Sequence, residues 1–166
     1  TRLKVETDLR RAIDSKSFEL HYQPIISLGN GRISGFEALV RWRHPVRGLL
    51  LPIEFIGVAE DTGMIVDIDR LTLAESCKQM AAWIGQFGGA APHVMCANVS
   101  AKQLADRELI TRIDAELQRS GLLPGNLNLE ITESALIGDV PGAQKLLERA
   151  RTLGVTWSLD DFGTGY

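Results

Sequence analysis

Three short apolar runs, VMCANVS (94–100), LNLEITES (127–134) and VTWSLDD (155–161), each end in polar or acidic side chains, with a helix-length amphipathic segment between one and the next. Apolar runs of this length bounded by turn signals read as buried strands. Strand, helix, strand repeated at this spacing makes the strands parallel, because the crossover returns the chain to the same end of the sheet. Helices then cover the sheet, either as a barrel or as an open doubly wound sheet. Asn98, Glu130, Asp160 and Asp161 lie late in these strands. That placement favours the barrel, whose functional residues gather at the C-terminal ends of its strands.

The N-terminal part departs from this rhythm. Residues 3–13 set Leu3, Val5, Leu9, Ala12 and Ile13 among charges, as a short amphipathic helix does. Strand-like runs follow at 18–26 (FELHYQPII) and 32–43 (RISGFEALVRWR), joined through Asn30-Gly31, a dipeptide suited to a tight turn, so an antiparallel hairpin is expected. One helix is expected over 52–62, with Pro52 at its first position and Gly63 ending it, and a second over 67–84. Residues 85–92 (GQFGGAAP) read as a surface loop. Ser100 and Gln103 have capping-box spacing. Further helices are expected around Leu109, Ile110, Ile113 and Leu117, and over 143–153 before Gly154. The expected order is β, β, αα, β, α, β, α, β in one domain.

A chain of 166 residues, 45% hydrophobic and 23% charged, has the composition of an ordinary packed domain, which excludes disordered and collagen-like chains. No run approaches the roughly 18 apolar residues of a membrane helix, and the charged N-terminal segment is unlike a signal peptide. A cytoplasmic chain without membrane contact is expected. The net charge of −3 gives no general field for a nucleic-acid polymer, so a phosphate-bearing ligand needs a local feature such as a metal. Cys77 and Cys96 have no CxxC spacing and read as buried free thiols.

Side chains alternate across a strand, so Glu37 and Arg41 share a face with Leu39 between them, opposite Phe36, Ala38, Val40 and Trp42. The same parity sets Glu130 with Asn128 and Thr132, and Asn98 with Cys96 and Ser100. Collecting Glu37, Glu130, Asp160 and Asp161 in one pocket is costly without a compensating cation, because buried carboxylates lose hydration and repel one another. Oxygen-only donors favour Mg²⁺ or Mn²⁺ over zinc, and the Asp160-Asp161 doublet can reach two ions, as in two-metal sites that hydrolyse phosphoesters. Taken singly, each piece also has a plainer reading: Glu37 with Arg41 as an ion pair, Asn98 with Ser100 as a helix cap, Glu133 as a solvated charge. The DFG within 160–163 lacks the other kinase motifs, and Gly163-Thr164-Gly165 reads as an ordinary turn. His21, His44 and His93 are scattered.

In order along the chain, YQPI (22–25), FEALVRW (36–42), PIEFIGVAEDTG (52–63), NVS (98–100), LEITES (129–134) and LDDFGTGY (159–166) closely resemble the EAL domain family of cyclic di-GMP phosphodiesterases. The resemblance implies an α/β, TIM-barrel-like fold, modified by a first strand antiparallel to the rest, and metal-dependent hydrolysis of cyclic di-GMP to linear pGpG. By motif, it implies Glu37, Asn98, Glu130 and Asp160 as ligands of one Mg²⁺ or Mn²⁺, with Asp160 bridging to a second ion that Asp161 also binds. It implies Gln23, Leu39 and Arg41 as substrate contacts. It implies Glu133 as the anchor of the loop after the DDFG strand, grouped with Glu37, Asp160 and Asp161 in the catalytic set. A homodimer and attached sensory or GGDEF domains are expectations of the same kind.

A TIM barrel takes roughly 250 residues and eight strands. Residues 1–166 are therefore expected to be an EAL domain incomplete at its C-terminus, truncated after about the fifth strand and inactive alone. Later family strands carry a lysine, a glutamate and a glutamine without counterparts here. The competing class is a non-catalytic module that binds cyclic di-GMP and signals to a partner, and a weaker third is a structural dimerisation domain.

Overall fold

The structure, a computed structural model, describes residues 2–132, 135–136 and 140–160. Helix α1 (Arg2–Asp14) leads into a hairpin of β1 (Phe18–Ile26) and β2 (Ile33–His44). These strands pair antiparallel, with Gln23 opposite Glu37 and Glu19 opposite Arg41. The chain folds back through β3 (Gly48–Leu50), which pairs with the end of β2. After α2 (Ile56–Thr62) and α3 (Ile65–Phe87) come β4 (Val94–Val99), α4 (Ala101–Leu104), α5 (Leu109–Ser120), β5 (Leu127–Thr132), α6 (Val140–Leu153) and β6 (Thr156–Asp160). The sheet order is β1-β2-β4-β5-β6, and β2, β4, β5 and β6 run parallel.

Strand parity divides the sheet into two unlike faces. On one, Ala38, Met95, Ala97, Val99, Leu127, Leu129 and Ile131 form the main core with Leu73, Cys77 and Met80 of α3, Ile113 and Leu117 of α5, and Leu146, Leu147 and Ala150 of α6. The other face carries Glu37, Cys96, Asn98, Asn128, Glu130 and Ser158, by the same alternation and register. A doubly wound sheet buries both faces under helices. Here α3, α5 and α6 all pack on one face and the other is polar, which is the inside and outside of a TIM-barrel-like sheet with its first strand reversed.

A second core fixes the end of the sheet where the strands terminate. Trp42 stacks edge-on against Phe55 with ring centroids 5.7 Å apart, and Phe18, Leu9, Ala59, Ile65 and Ile68 close around them. Phe55 also corrects the expectation of one helix over 52–62. Residues Pro52–Glu54 form a 3₁₀ turn, Phe55 leaves the helical region at φ −140°, and α2 starts only at Ile56. The ring is fully buried, so packing overrides helix propensity at that residue. Gly63, at φ 81°, ends α2 in the left-handed conformation a glycine adopts freely.

Two other boundaries move outward. α3 runs on to Phe87 and a 3₁₀ turn occupies Gly88–Ala90, so most of the expected loop over 85–92 is helical. Trp83 holds the end of α3 down, with its ring 5.0 Å from Tyr22 and 4.7 Å from Phe36. α6 begins at Val140 rather than 143, because Pro141 is tolerated in a first turn, where its missing N–H has no partner to lose. The short β3 was not anticipated. Among the described residues no helix is long and apolar enough to cross a membrane.

Candidate active site

The C-terminal ends of the parallel strands open into a cavity of about 850 Å³ lined by Glu37, Leu39, Asn98, Ser100, Asp69 and Asp160, among others. Register places the polar groups side by side. Asn98 of β4 lies opposite Glu130 of β5, and Thr132 lies opposite Asp160 of β6. Carboxylate oxygens of Glu37, Glu130 and Asp160 all fall within 4.8 Å of one another, close enough to share one cation. Asn98 Nδ2 donates to Glu37 Oε1 at 3.3 Å, which leaves its own oxygen as a further donor atom for that cation.

The electrostatics of this cluster are those of a site short of positive charge. Burial pushes the Glu130 carboxyl up to about 7, and the neighbouring Glu37 and Asp160 add to the shift. Below Glu130, Asn128 donates to Ser158 Oγ at 2.8 Å and accepts from Thr156 at 3.0 Å, a neutral layer that supports the acids without neutralising them. Burial also pushes the Cys77 and Cys96 thiols up to about 12, which keeps both protonated and poor metal ligands. A hard, oxygen-seeking divalent cation fits this donor set.

Other sequence-derived candidates occupy distinct places. Leu39 lines the cavity between the acids and α2. Gln23 sits exposed on β1 directly across from Glu37. Arg41 shares their face, but its guanidinium Nη1 donates to the Val40 carbonyl at 2.9 Å, and it is not among the residues that wall the cavity. It forms no ion pair with Glu37; among the described residues, the nearest such pair on that face joins Arg43 to Glu19 at 2.6 Å. Glu133 and Asp161 lie outside the described residues.

Asp69 was missed. It sits on the buried face of α3, lines the cavity, and accepts from the Ser100 hydroxyl at 2.5 Å. Burial lifts its carboxyl to about 6 against the pull of that hydrogen bond. The available signal was an acid among Ile65, Ile68, Thr72, Leu73 and Ser76 at core spacing on an otherwise apolar helix face. Glu60, Asp61 and Lys102, also in the wall, carry no such signal because ordinary exposed helix positions hold the same residues.

Residues 6–166 match the family model of the EAL domain. The chain belongs to the EAL domain family. Two Pseudomonas aeruginosa proteins, the bifunctional diguanylate cyclase/cyclic di-GMP phosphodiesterase MucR and the cyclic di-GMP phosphodiesterase NbdA, are each 42% identical to this EAL domain over 164 residues. The match covers 99% of this chain and 24% and 21% of theirs, so the EAL domain described here spans a quarter or less of those relatives. The PaMucR phosphodiesterase in its cyclic di-GMP complex superposes with a TM-score of 0.91 at 42% identity, covering 98% of this chain and 65% of that one. The FimX EAL domain from Pseudomonas aeruginosa, bound to the same dinucleotide, gives 0.84 at 27% identity, over 96% of this chain and 62% of the other.

Proposed function

We propose that this EAL domain is the catalytic part of a metal-dependent phosphodiesterase that hydrolyses cyclic di-GMP to linear pGpG. The observation that carries this reading is the convergence of Glu37, Glu130 and Asp160 within 4.8 Å at the C-terminal ends of parallel strands, beside a cavity large enough for a dinucleotide. The 42% identity to proteins named as cyclic di-GMP phosphodiesterases supports the choice of substrate.

On this reading Glu37, Asn98, Glu130 and Asp160 hold one Mg²⁺ or Mn²⁺, and Asp160 with Asp161 holds a second. When bound, such a pair acidifies water and neutralises charge developing on the phosphoryl oxygens. The protein's own residues do the rest. On binding, Glu130 would release to solvent the proton that its burial retains, Asn98 would offer its amide oxygen while its NH₂ stays on Glu37, and the Asn128 layer would keep Glu130 in place. Leu39 offers an apolar surface to a base, Gln23 supplies an amide, and Arg41 swings from the Val40 carbonyl to a phosphate, which its fork of donors suits. For Glu133 the role of loop anchor is carried over from the family resemblance alone. Attached sensory or GGDEF domains, a homodimer and a cytoplasmic location belong to this proposal, carried over from the family resemblance.

The test is chromatographic: the intact protein is incubated with cyclic di-GMP and Mn²⁺, with and without excess EDTA. Appearance of pGpG that EDTA abolishes is the expected result. Tight binding of the dinucleotide with no pGpG replaces this reading with the receptor module, and turnover that survives EDTA removes the metal from it.

A further inference from the structure

The buried carboxylate of Asp69 has no counterpart in the acid cluster, yet it faces the same cavity. Only 8% of the residue is exposed, and its helix neighbours Ile65, Ile68 and Leu73 pack without it into the two cores. Burying a carboxylate costs free energy that an apolar residue at the same place would not. What it holds is the residue that follows β4. Asp69 Oδ2 accepts from the Ser100 hydroxyl at 2.5 Å and lies 3.4 Å from the Ser100 backbone N–H, while Ser100 Oγ in turn accepts from Gln103 N at 3.3 Å. The single hydroxyl hydrogen is committed to α3 and a lone pair to the first turn of α4, so the Ser100 side chain is fixed from both sides.

We propose that Asp69 and Ser100 act as a positioning pair that fixes the end of β4 so that Asn98 presents its amide oxygen to a divalent cation held with Glu37. Asn98 lies two residues before Ser100, which directly follows the last residue of β4, Val99, and the Asn98 NH₂ already donates to Glu37. Only Val99 separates the two residues, so a tilt of the backbone at Ser100 is passed to Asn98. A clamp on Ser100 from a helix that packs on the far face of the sheet therefore sets the angle at which Asn98 meets Glu37. Asp69 is not one of the acids that converge within reach of one cation, and it acts through Ser100. The inference rests on the phosphodiesterase reading for the chemistry, and on the two hydrogen bonds for the role.

Mn²⁺ binding to the intact protein, measured calorimetrically without substrate, tests it. Asp69→Ala and Ser100→Ala are each expected to weaken Mn²⁺ binding by about tenfold or more, the range for residues that orient metal ligands. The double variant is expected to lose clearly less than the sum of the two single losses, because both variants remove the same Asp69–Ser100 hydroxyl hydrogen bond. Ser100→Thr, which keeps the hydroxyl, is expected to stay within about threefold of wild type in Mn²⁺ affinity. Should Asp69→Ala fail to fold, Asp69→Asn keeps an acceptor for Ser100 and is expected to fall between it and wild type. Alanine variants that bind Mn²⁺ within twofold of wild type, or losses that add in the double variant, overturn the proposal. A wild-type protein that binds Mn²⁺ without hydrolysing cyclic di-GMP removes the phosphodiesterase reading and leaves the pair to be judged by the same affinity ratios. A wild-type protein that does not bind Mn²⁺ overturns both.

Discussion

Asn98 of β4 donates its amide NH₂ to Glu37 of β2 at 3.3 Å, across neighbouring parallel strands whose residues lie 61 apart in sequence. The contact gives Glu37 a neutral neighbour on one side and two acids, Glu130 and Asp160, on the other. An amide here does what a fourth carboxylate could not: it adds an oxygen donor without adding charge to a cluster that already repels itself.

On the phosphodiesterase reading proposed above, removal of Glu37 abolishes catalysis rather than trims it. Glu37→Ala is expected to lower kcat on the order of 10³-fold, since a cation at a phosphoryl oxygen supplies several kcal/mol and each 1.36 kcal/mol is a decade in rate. Steady-state kinetics beside wild type measure this, and activity within tenfold of wild type contradicts it.

The raised Glu130 carboxyl predicts opposite pH trends for stability and for metal binding. In the cation-free protein the folded state keeps this proton from the ordinary value of 4.5 up to about 7, where the unfolded chain does not. The stability it contributes is complete below that window and is lost as pH rises through 7. Asp69 behaves likewise between 3.8 and about 6. Thermal unfolding in EDTA at about pH 5 and about pH 8 should show a larger fall for wild type than for Glu130→Gln.

Cation binding requires the ionised carboxylate, so it runs the other way. Mn²⁺ affinity is expected to weaken as pH falls below about 7, by up to roughly tenfold per unit for the one proton displaced. Titrations at several pH values check it, and an affinity flat through neutrality would place the displaced proton elsewhere.

Gly35 lets β2 lie against β4 two residues before Glu37. A Cβ there would stand 2.5 Å from the Val94 carbonyl oxygen, a backbone atom that cannot swing aside. Gly35→Ala is expected to destabilise the fold by about 1–3 kcal/mol, the range for overpacking, as read by urea unfolding, and to weaken Mn²⁺ binding because the strand carrying Glu37 must shift.

Much of this architecture was legible in residue order. The alternation in LNLEIT placed Glu130 on the face away from Leu127, Leu129 and Ile131, and the structure buries those three against helices as parity requires. Asn30-Gly31 announced the hairpin that reverses the first strand. What failed to show was set by contacts distant in sequence. β3 is three residues long, too short for any period, and exists because Trp42 pairs with Leu50. The break at Phe55 comes from an aromatic ring drawn toward Trp42, not from a helix-breaking residue. Parity put Arg41 on the same face as Glu37 but could not say that its guanidinium turns to the Val40 carbonyl. Asp69 was hidden because its partner, Ser100, lies 31 residues away on another element.

The most direct test of the central claim is crystallographic: the intact protein with Mn²⁺ and cyclic di-GMP, with the ion located by its anomalous scattering. Mn²⁺ bonded to Glu37, Asn98, Glu130 and Asp160, with a phosphate of the dinucleotide against it, is the expected result. Mn²⁺ absent from these four side chains while the dinucleotide occupies the cavity would contradict the claim.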